Sequence, residues 1–496
     1  MKPKAITTLI LPVTLLSQAA IAQDRPNILF IYADDQCFES LYCDSDGIQT
    51  PNLDKLMQRG TIFTQAHNQG GWSPGVSVAS RTMMATGGYL WNAARTSATS
   101  QQKAGVANTP REMPDYTVEV AATPRIWPQL MSDAGYETYM AGKWHVNVSA
   151  DEVFDHTGTV RGGMPSQHKD CYNRLFDGVT EDKWTPYDQS YGGFWAGGKH
   201  WSEVLKDEAL EFIEHTKSVE KPFFIYLGFN AAHDPRQSPK EFVDMYPAED
   251  ISVPESFVGE YPYAYEIGAG EYLRDEKLAP FPRNERSVQV NRQEYYAIIT
   301  HMDQQIGEIL AELEASGKAD NTYIIFTADH GIAIGDHGFM GKQNMYEKSL
   351  RVPLIICGPN VPANKQIDEY VYLQDVMPTA IEIAGATPPS YVDYHSLLPM
   401  ATGESRKSEY KYLYGAYMGV QRMVKGKDYK MIIYPNVNIV RLYNLKKDPL
   451  ELNDLAQNAK YKSKMIELFE EFKKLQVEVG DPLDVTPYFN AFISKL

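Results

Sequence analysis

The stretch "PNILFIYADD", residues 26–35, decides the fold. Its apolar and aromatic residues follow one another without a polar break and end on two aspartates. A continuous run of this length predicts a strand buried on both faces, as in a parallel sheet covered by helices on either side. The same texture returns in "YETYMAGKWH" (136–145), "PFFIYLGFNAAH" (222–233) and "NTYIIFTADHG" (321–331). Between these runs lie segments of helical length, "NLDKLMQRG" (52–60), "RIWPQLMSDAGY" (125–136) and "RQEYYAIITHMDQQIGEILAELEASG" (292–317), each with a glycine at or near its stop. Strand and helix alternate, so the sequence predicts a doubly wound, mostly parallel α/β sandwich.

What leaves each strand carries the chemistry. The four runs exit into Asp34 and Asp35, Lys143 and His145, His233, and Asp329 and His330. Open parallel sheets build their sites at the carboxyl ends of strands, and four strands delivering ionisable groups to one edge is a more specific pattern than any single group. Asp34, Asp35 and Asp329 are hard oxygen donors without a cysteine among them, which suits calcium or magnesium, with His330 as ligand or as hydrogen-bonding neighbour. Arg81, Lys143, His145, His233 and Lys342 would make a local cationic pocket for sulfate or phosphate.

The whole sequence is acidic, with a net charge of −17, which argues against nucleic acid as a partner. Residues 1–22 read as a secretory signal peptide: Lys2 and Lys4, a short apolar run, then Ala20-Ile21-Ala22. No later stretch is long or apolar enough to span a bilayer. The expectation is an exported chain, periplasmic or secreted, with a catalytic α/β domain over 23–400. Over 401–496 short strand-like segments and a turn at 426–428 predict a smaller antiparallel sheet, a helix at 460–479 and a loose tail. Of the four cysteines, Cys37 and Cys43 are close enough in sequence to bridge, and free thiols fit equally well. The long segments 151–199 and 254–286 suit binding walls, with His168, Asn173, Arg174 and His200 as candidates to touch a sugar.

"SVASRTMMATG" (77–87) resembles the signature of the formylglycine-dependent sulfatases, in which C/S-x-P/A-x-R leads into a short helix ending in T-G. "RPNILFIYADDQ", "GKWH", "TADHG" and "LYNLKKDPLELNDLA" are similar to other segments of that family, in the same order. The resemblance implies an alkaline-phosphatase-like α/β domain, and oxidation of Ser77 to formylglycine by a maturase of the anaerobic type. It implies one calcium ion bound by Asp34, Asp35, Asp329 and His330, with Ser77 beside it. Arg81 would hold the formylglycine, Lys143 and Lys342 the sulfate oxygens, His145 would act on formylglycine, and His233 would face the leaving group. The substrate implied is a sulfated carbohydrate. Ala79 stands where the commoner form of the motif has proline. Two other readings remain: a phosphomonoesterase or phosphodiesterase using unmodified Ser77, and an inactive protein that binds sulfated glycans. Phe229, four residues before His233, offers no ligand for the second metal that two-metal phosphoesterases need.

Overall fold

The computed structural model describes residues 25–41, 47–103 and 124–496. The leading segment read as a signal peptide and Cys43 both lie outside the described residues. The large sheet has eight strands: β1 (Asn27–Ala33), β2 (Thr61–His67), β4 (Glu137–Lys143), β5 (His156–Arg161), β6 (Phe223–Gly228), β7 (Thr322–Ala328), β8 (Leu354–Cys357) and β9 (Lys365–Tyr372). Their order is β5-β4-β6-β1-β7-β8-β2-β9, and β8 alone runs against its neighbours. Every residue of β1, β6 and β7 is buried, which is why these strands read as unbroken apolar runs. The helix Glu285–Ala315 packs against the helix Trp201–Thr216 on the sheet's flank. It starts before the predicted 292, where the Asn284 side chain accepts a hydrogen bond from the Ser287 N–H and caps it.

A second sheet of five strands, ordered β13-β12-β11-β10-β3, is antiparallel through β10 (Leu413–Tyr417), β11 (Gln421–Lys425), β12 (Tyr429–Tyr434) and β13 (Ile439–Asn444). Its fifth strand is only Gly70–Gly71, β3, which pairs in parallel with β10 five residues before the helix that begins at Val76. A Cβ on Gly70 would come within 2.1 Å of the Ala416 carbonyl oxygen, and its φ is +95°, so glycine is required where the sheets join. The tail expected to be loose folds instead as the helix Thr486–Ile493. Phe489 and Phe492 are buried, and the Phe489 ring stacks on Phe469 with centroids 3.9 Å apart. Among the described residues, no helix is long and apolar enough to cross a membrane.

Candidate active site

β4, β6, β1 and β7 are consecutive neighbours in the large sheet, so their carboxyl ends deliver side chains to one place. Asp34 and Asp35 follow β1 directly, and Asp35 takes φ +55°. Lys143 closes β4, and His145 follows it, also at φ +55°. Asp329 and His330 follow β7, and His233 lies just past β6. Over these ends sits the helix Val76–Thr86 with Ser77 in its first turn, at the end of the helix dipole that favours negative charge.

The Ser77 Oγ donates to Asp34 Oδ1 at 3.2 Å and lies 2.8 Å from His330 Nε2. Asp34, Asp35, Asp329 and His330, all buried, can each aim one donor atom into a space where these atoms lie within 4.8 Å of one another. The imidazole is oriented for that task. His330 Nδ1 lies 2.9 Å from the Gly331 carbonyl and 3.2 Å from Asp35 Oδ1, so both its neighbours are acceptors and the ring proton belongs there. Nε2 is then turned towards Ser77 and Asp329. Three carboxylates and one imidazole are a donor set that fits a hard divalent cation.

Three cations balance the three acids. Lys143 Nζ pairs with Asp34, Lys342 Nζ lies 2.7 Å from Asp35 Oδ1, and Arg81 Nε lies 2.9 Å from Asp329 Oδ2. Arg81 also donates to the carbonyls of Lys143 (2.8 Å) and Ala33 (3.3 Å), with its guanidinium over the Tyr32 ring. Its described contacts thus tie together the ends of β1, β4 and the residue after β7. No hydrogen bond joins it to Ser77, although the two are one helical turn apart.

Charge and burial set the protonation states. Burial, then the adjacent Asp329, push Asp34 up, with Lys143 opposing. Burial would also raise Asp35 and Asp329, but Lys342, His233 and His330 outweigh it at Asp35, and His330, Arg81 and Lys143 outweigh it at Asp329, so both are held low. Burial, reinforced by Lys143 and Arg81, pushes His145 down to about 2, and its buried Nδ1 has no hydrogen-bond partner among the described residues. His233 moves the other way. Burial and Lys342 lower it, yet Asp234, Asp35 and Asp34 together leave it raised.

Several groups at the site were not singled out from the sequence. Asp234 is buried beside His233, whose Nδ1 lies 2.8 Å from the Asp234 carbonyl and 2.9 Å from its Oδ1. Asp35, His233 and Asp234 also converge as a trio, but the Nδ1 proton is directed at Asp234, which makes Asp234 an orienting partner. Tyr172 donates to the same carboxylate. From the segment 254–286, Arg274 brings Nη2 to 3.3 Å from His233 Nε2, and Asp275 lies 3.9 Å from Lys342. The adjacent dipeptide His-Asp was the one sequence signal for Asp234; loop residues such as Arg274 leave none.

Two of the proposed sugar contacts are corrected. Arg174 is buried in ion pairs with Asp182 (2.7 Å) and Glu294 (2.9 Å). His200 is fully buried, caps the helix Trp201–Thr216 through the Ser202 N–H, and lies 3.0 Å from the Gln237 carbonyl. Neither has a free face. The His168 ring packs at a tilt against Tyr191, with centroids 4.4 Å apart, and Asn173 is exposed at φ +57°.

Comparison with known proteins gives this geometry a context. The family model described as Sulfatase matches residues 26–386, and one described as N-sulphoglucosamine sulphohydrolase, C-terminal, matches 335–478. An N-acetylglucosamine-6-O-sulfatase of Bacteroides thetaiotaomicron is 26% identical across 96% of this chain and 91% of its own. A solved structure, described as a complex with its substrate D-glucosamine-2-N,6-O-disulfate, superposes with TM-score 0.70 at 23% identity, covering 94% of this chain and all of the other. A phosphonate monoester hydrolase from Silicibacter pomeroyi reaches the same TM-score at 18% identity, with 93% and 97% covered. The shared fold therefore does not by itself separate sulfur from phosphorus chemistry.

Proposed function

This chain belongs to the sulfatase family and is a sulfuric ester hydrolase, and from that premise we propose that it removes sulfate from a sulfated carbohydrate, with residue 77 working as formylglycine beside a calcium ion. The observation that carries the reading is the position of Ser77 Oγ, against His330 Nε2 and Asp34 at the centre of a donor cluster ringed by Lys143, Lys342 and Arg81. The substrate class is supported by the N-acetylglucosamine-6-O-sulfatase relative and by the disulfated glucosamine bound in the related structure.

Asp34, Asp35, Asp329 and His330 would hold the ion. Formylglycine and the ion would supply a nucleophilic oxygen and stabilisation of charge on the sulfuryl group. The rest falls to the chain's own side chains. Lys143 and Lys342, buried at the cluster's edge, would stabilise charge on the sulfuryl oxygens. His145 and His233 are driven apart by their surroundings, and such a split assigns base and acid. His145, kept neutral and with a free buried nitrogen, takes a proton at residue 77. His233, raised and anchored through Nδ1, presents Nε2 to the departing alcohol and gives it a proton. A positioned acid or base of this kind is worth roughly 10²–10⁴-fold.

Export to the periplasm through the leading segment, and maturation of Ser77 by an oxygen-independent maturase, belong to the same proposal. The test is a panel of sulfated mono- and disaccharides with matched phosphate esters. Release of inorganic sulfate from at least one sugar is expected. Phosphate release without sulfate release from any member would overturn the reading.

A further inference from the structure

The charged groups around the site differ sharply in their access to solvent. The side chains of Asp34, Asp35, Asp329, Arg81 and Lys143 are completely buried, and those of Lys342, Asp234 and Asp275 are nearly so. Arg274 is the exception among them, with 35% of its side chain exposed. It is also tied to the reacting region, because its Nη2 lies 3.3 Å from His233 Nε2. That nitrogen faces the site, since Nδ1 is turned to Asp234.

Arg274 has donor capacity to spare. Nη2 meets Asp275, with Asp234 at 3.5 Å. Nη1 meets the Met164 thioether, a weak acceptor. Nε is buried and has no partner among the described residues. The two acids are meanwhile shared with other groups: Asp234 with His233 and Tyr172, Asp275 with Gln343 at 3.0 Å. Among the described residues, two of its nitrogens thus meet no oxygen acceptor, one of them buried, which leaves the guanidinium open to an oxygen from a ligand.

On the sulfatase reading, we infer that Arg274 is a specificity-determining residue that binds a second oxyanion, a sulfate or a carboxylate, on the sugar bearing the scissile sulfate. A group on the leaving sugar beside His233 Nε2 is within reach of the guanidinium, whose planar fork matches such oxyanions. Met164 is the side chain that an incoming oxygen displaces.

The test compares the mature wild type with Arg274→Gln and Arg274→Lys on three sugars. These are 6-O-sulfated N-acetylglucosamine, its N-sulfo counterpart, and a sulfated uronic acid with a free carboxylate. The glutamine variant is expected to lower kcat/KM for a doubly anionic sugar about 10- to 100-fold more than for the N-acetyl sugar, the loss of a charge-assisted hydrogen bond. Lysine recovers part of that selective loss. The N-sulfo arm reports a sulfate reader, and the uronate arm a carboxylate reader. An equal loss on all three sugars would overturn the inference and leave Arg274 as a positioning residue for His233. Calorimetric binding of the same sugars to Ser77→Ala, with and without Arg274→Gln, gives the same comparison without turnover. Failure of the wild type to release sulfate therefore speaks against the sulfatase reading, while binding still decides the role of Arg274.

Discussion

Replacing Asp234 with asparagine should move the pH at which the enzyme loses its general acid. Asparagine keeps the shape and an acceptor oxygen, so His233 Nδ1 keeps a partner and the ring its orientation. What disappears is one negative charge, 2.9 Å from the ring in a fully buried setting. Asp234 is the largest contributor holding the His233 imidazolium up against burial and Lys342. The sign follows: with the charge gone, the protonated ring is less favoured and its pKa falls. An opposite charge at this range shifts a pKa by about 1–3 units, and each unit is worth about 1.4 kcal/mol. Because Arg274 at 3.5 Å and Tyr172 already draw on the same carboxylate, a loss of about 1–2 units is expected. The assay is the pH profile of kcat/KM for sulfate release. Its alkaline limb should move down by that amount, so that well above the limb the variant is about 10- to 100-fold slower. The comparison is between two forms sharing the same metal-ligand groups, so their charges cancel. An alkaline limb at the wild-type pH would refute the role given to Asp234.

Other outcomes follow from single contacts. Ser77→Ala should abolish turnover and leave the thermal unfolding midpoint within a few degrees of wild type, because it removes only a hydroxyl from the first turn of its helix; a large drop in the midpoint would show a structural role. Chelation of divalent cations should remove activity, and calcium should restore it. Asp329→Asn should raise the calcium concentration needed for half-activity, as read by titration, and an unchanged requirement would remove Asp329 from the ligand set. Phe489→Ala should cost about 3–5 kcal/mol of local stability, seen as faster hydrogen exchange across Thr486–Ile493 and its neighbour Lys462–Glu478. Gly70→Ala should loosen the small sheet through its clash with Ala416, detected as new protease cleavage between β10 and β13.

Much of the large sheet was legible because its central strands are buried on both faces and so lack polar interruption. Runs such as Ile28–Ala33 and Tyr323–Ala328 admit few other readings, and the ionisable residues just beyond them mark the sheet's working edge. The antiparallel turn of β8 was not legible, since its four residues, Leu354–Cys357, look like any short buried strand. Nor was β3, because two glycines carry no periodicity and the join to β10 depends on backbone approach alone. The terminal helix was missed because its stability comes from Phe489 and Phe492 packing into the core formed with the preceding helix Lys462–Glu478 and the small sheet, not from local propensity. Arg174 and His200 misled for a related reason. A polar residue in a long irregular segment reads as exposed until the structure supplies Glu294 or the helix that His200 caps. Arg274 is the reverse case, an unremarkable loop arginine that the chain's path returns to His233.

On the proposed mechanism, the reactive group at position 77 is made from serine rather than being serine. Peptide mass spectrometry of the active chain, purified from a host that matures it, measures this directly alongside its sulfate release. The peptide containing residue 77 should be two hydrogens lighter than its sequence predicts, with activity rising in proportion to the converted fraction across preparations. Full sulfatase activity from a chain whose residue 77 is entirely unmodified serine would contradict the account.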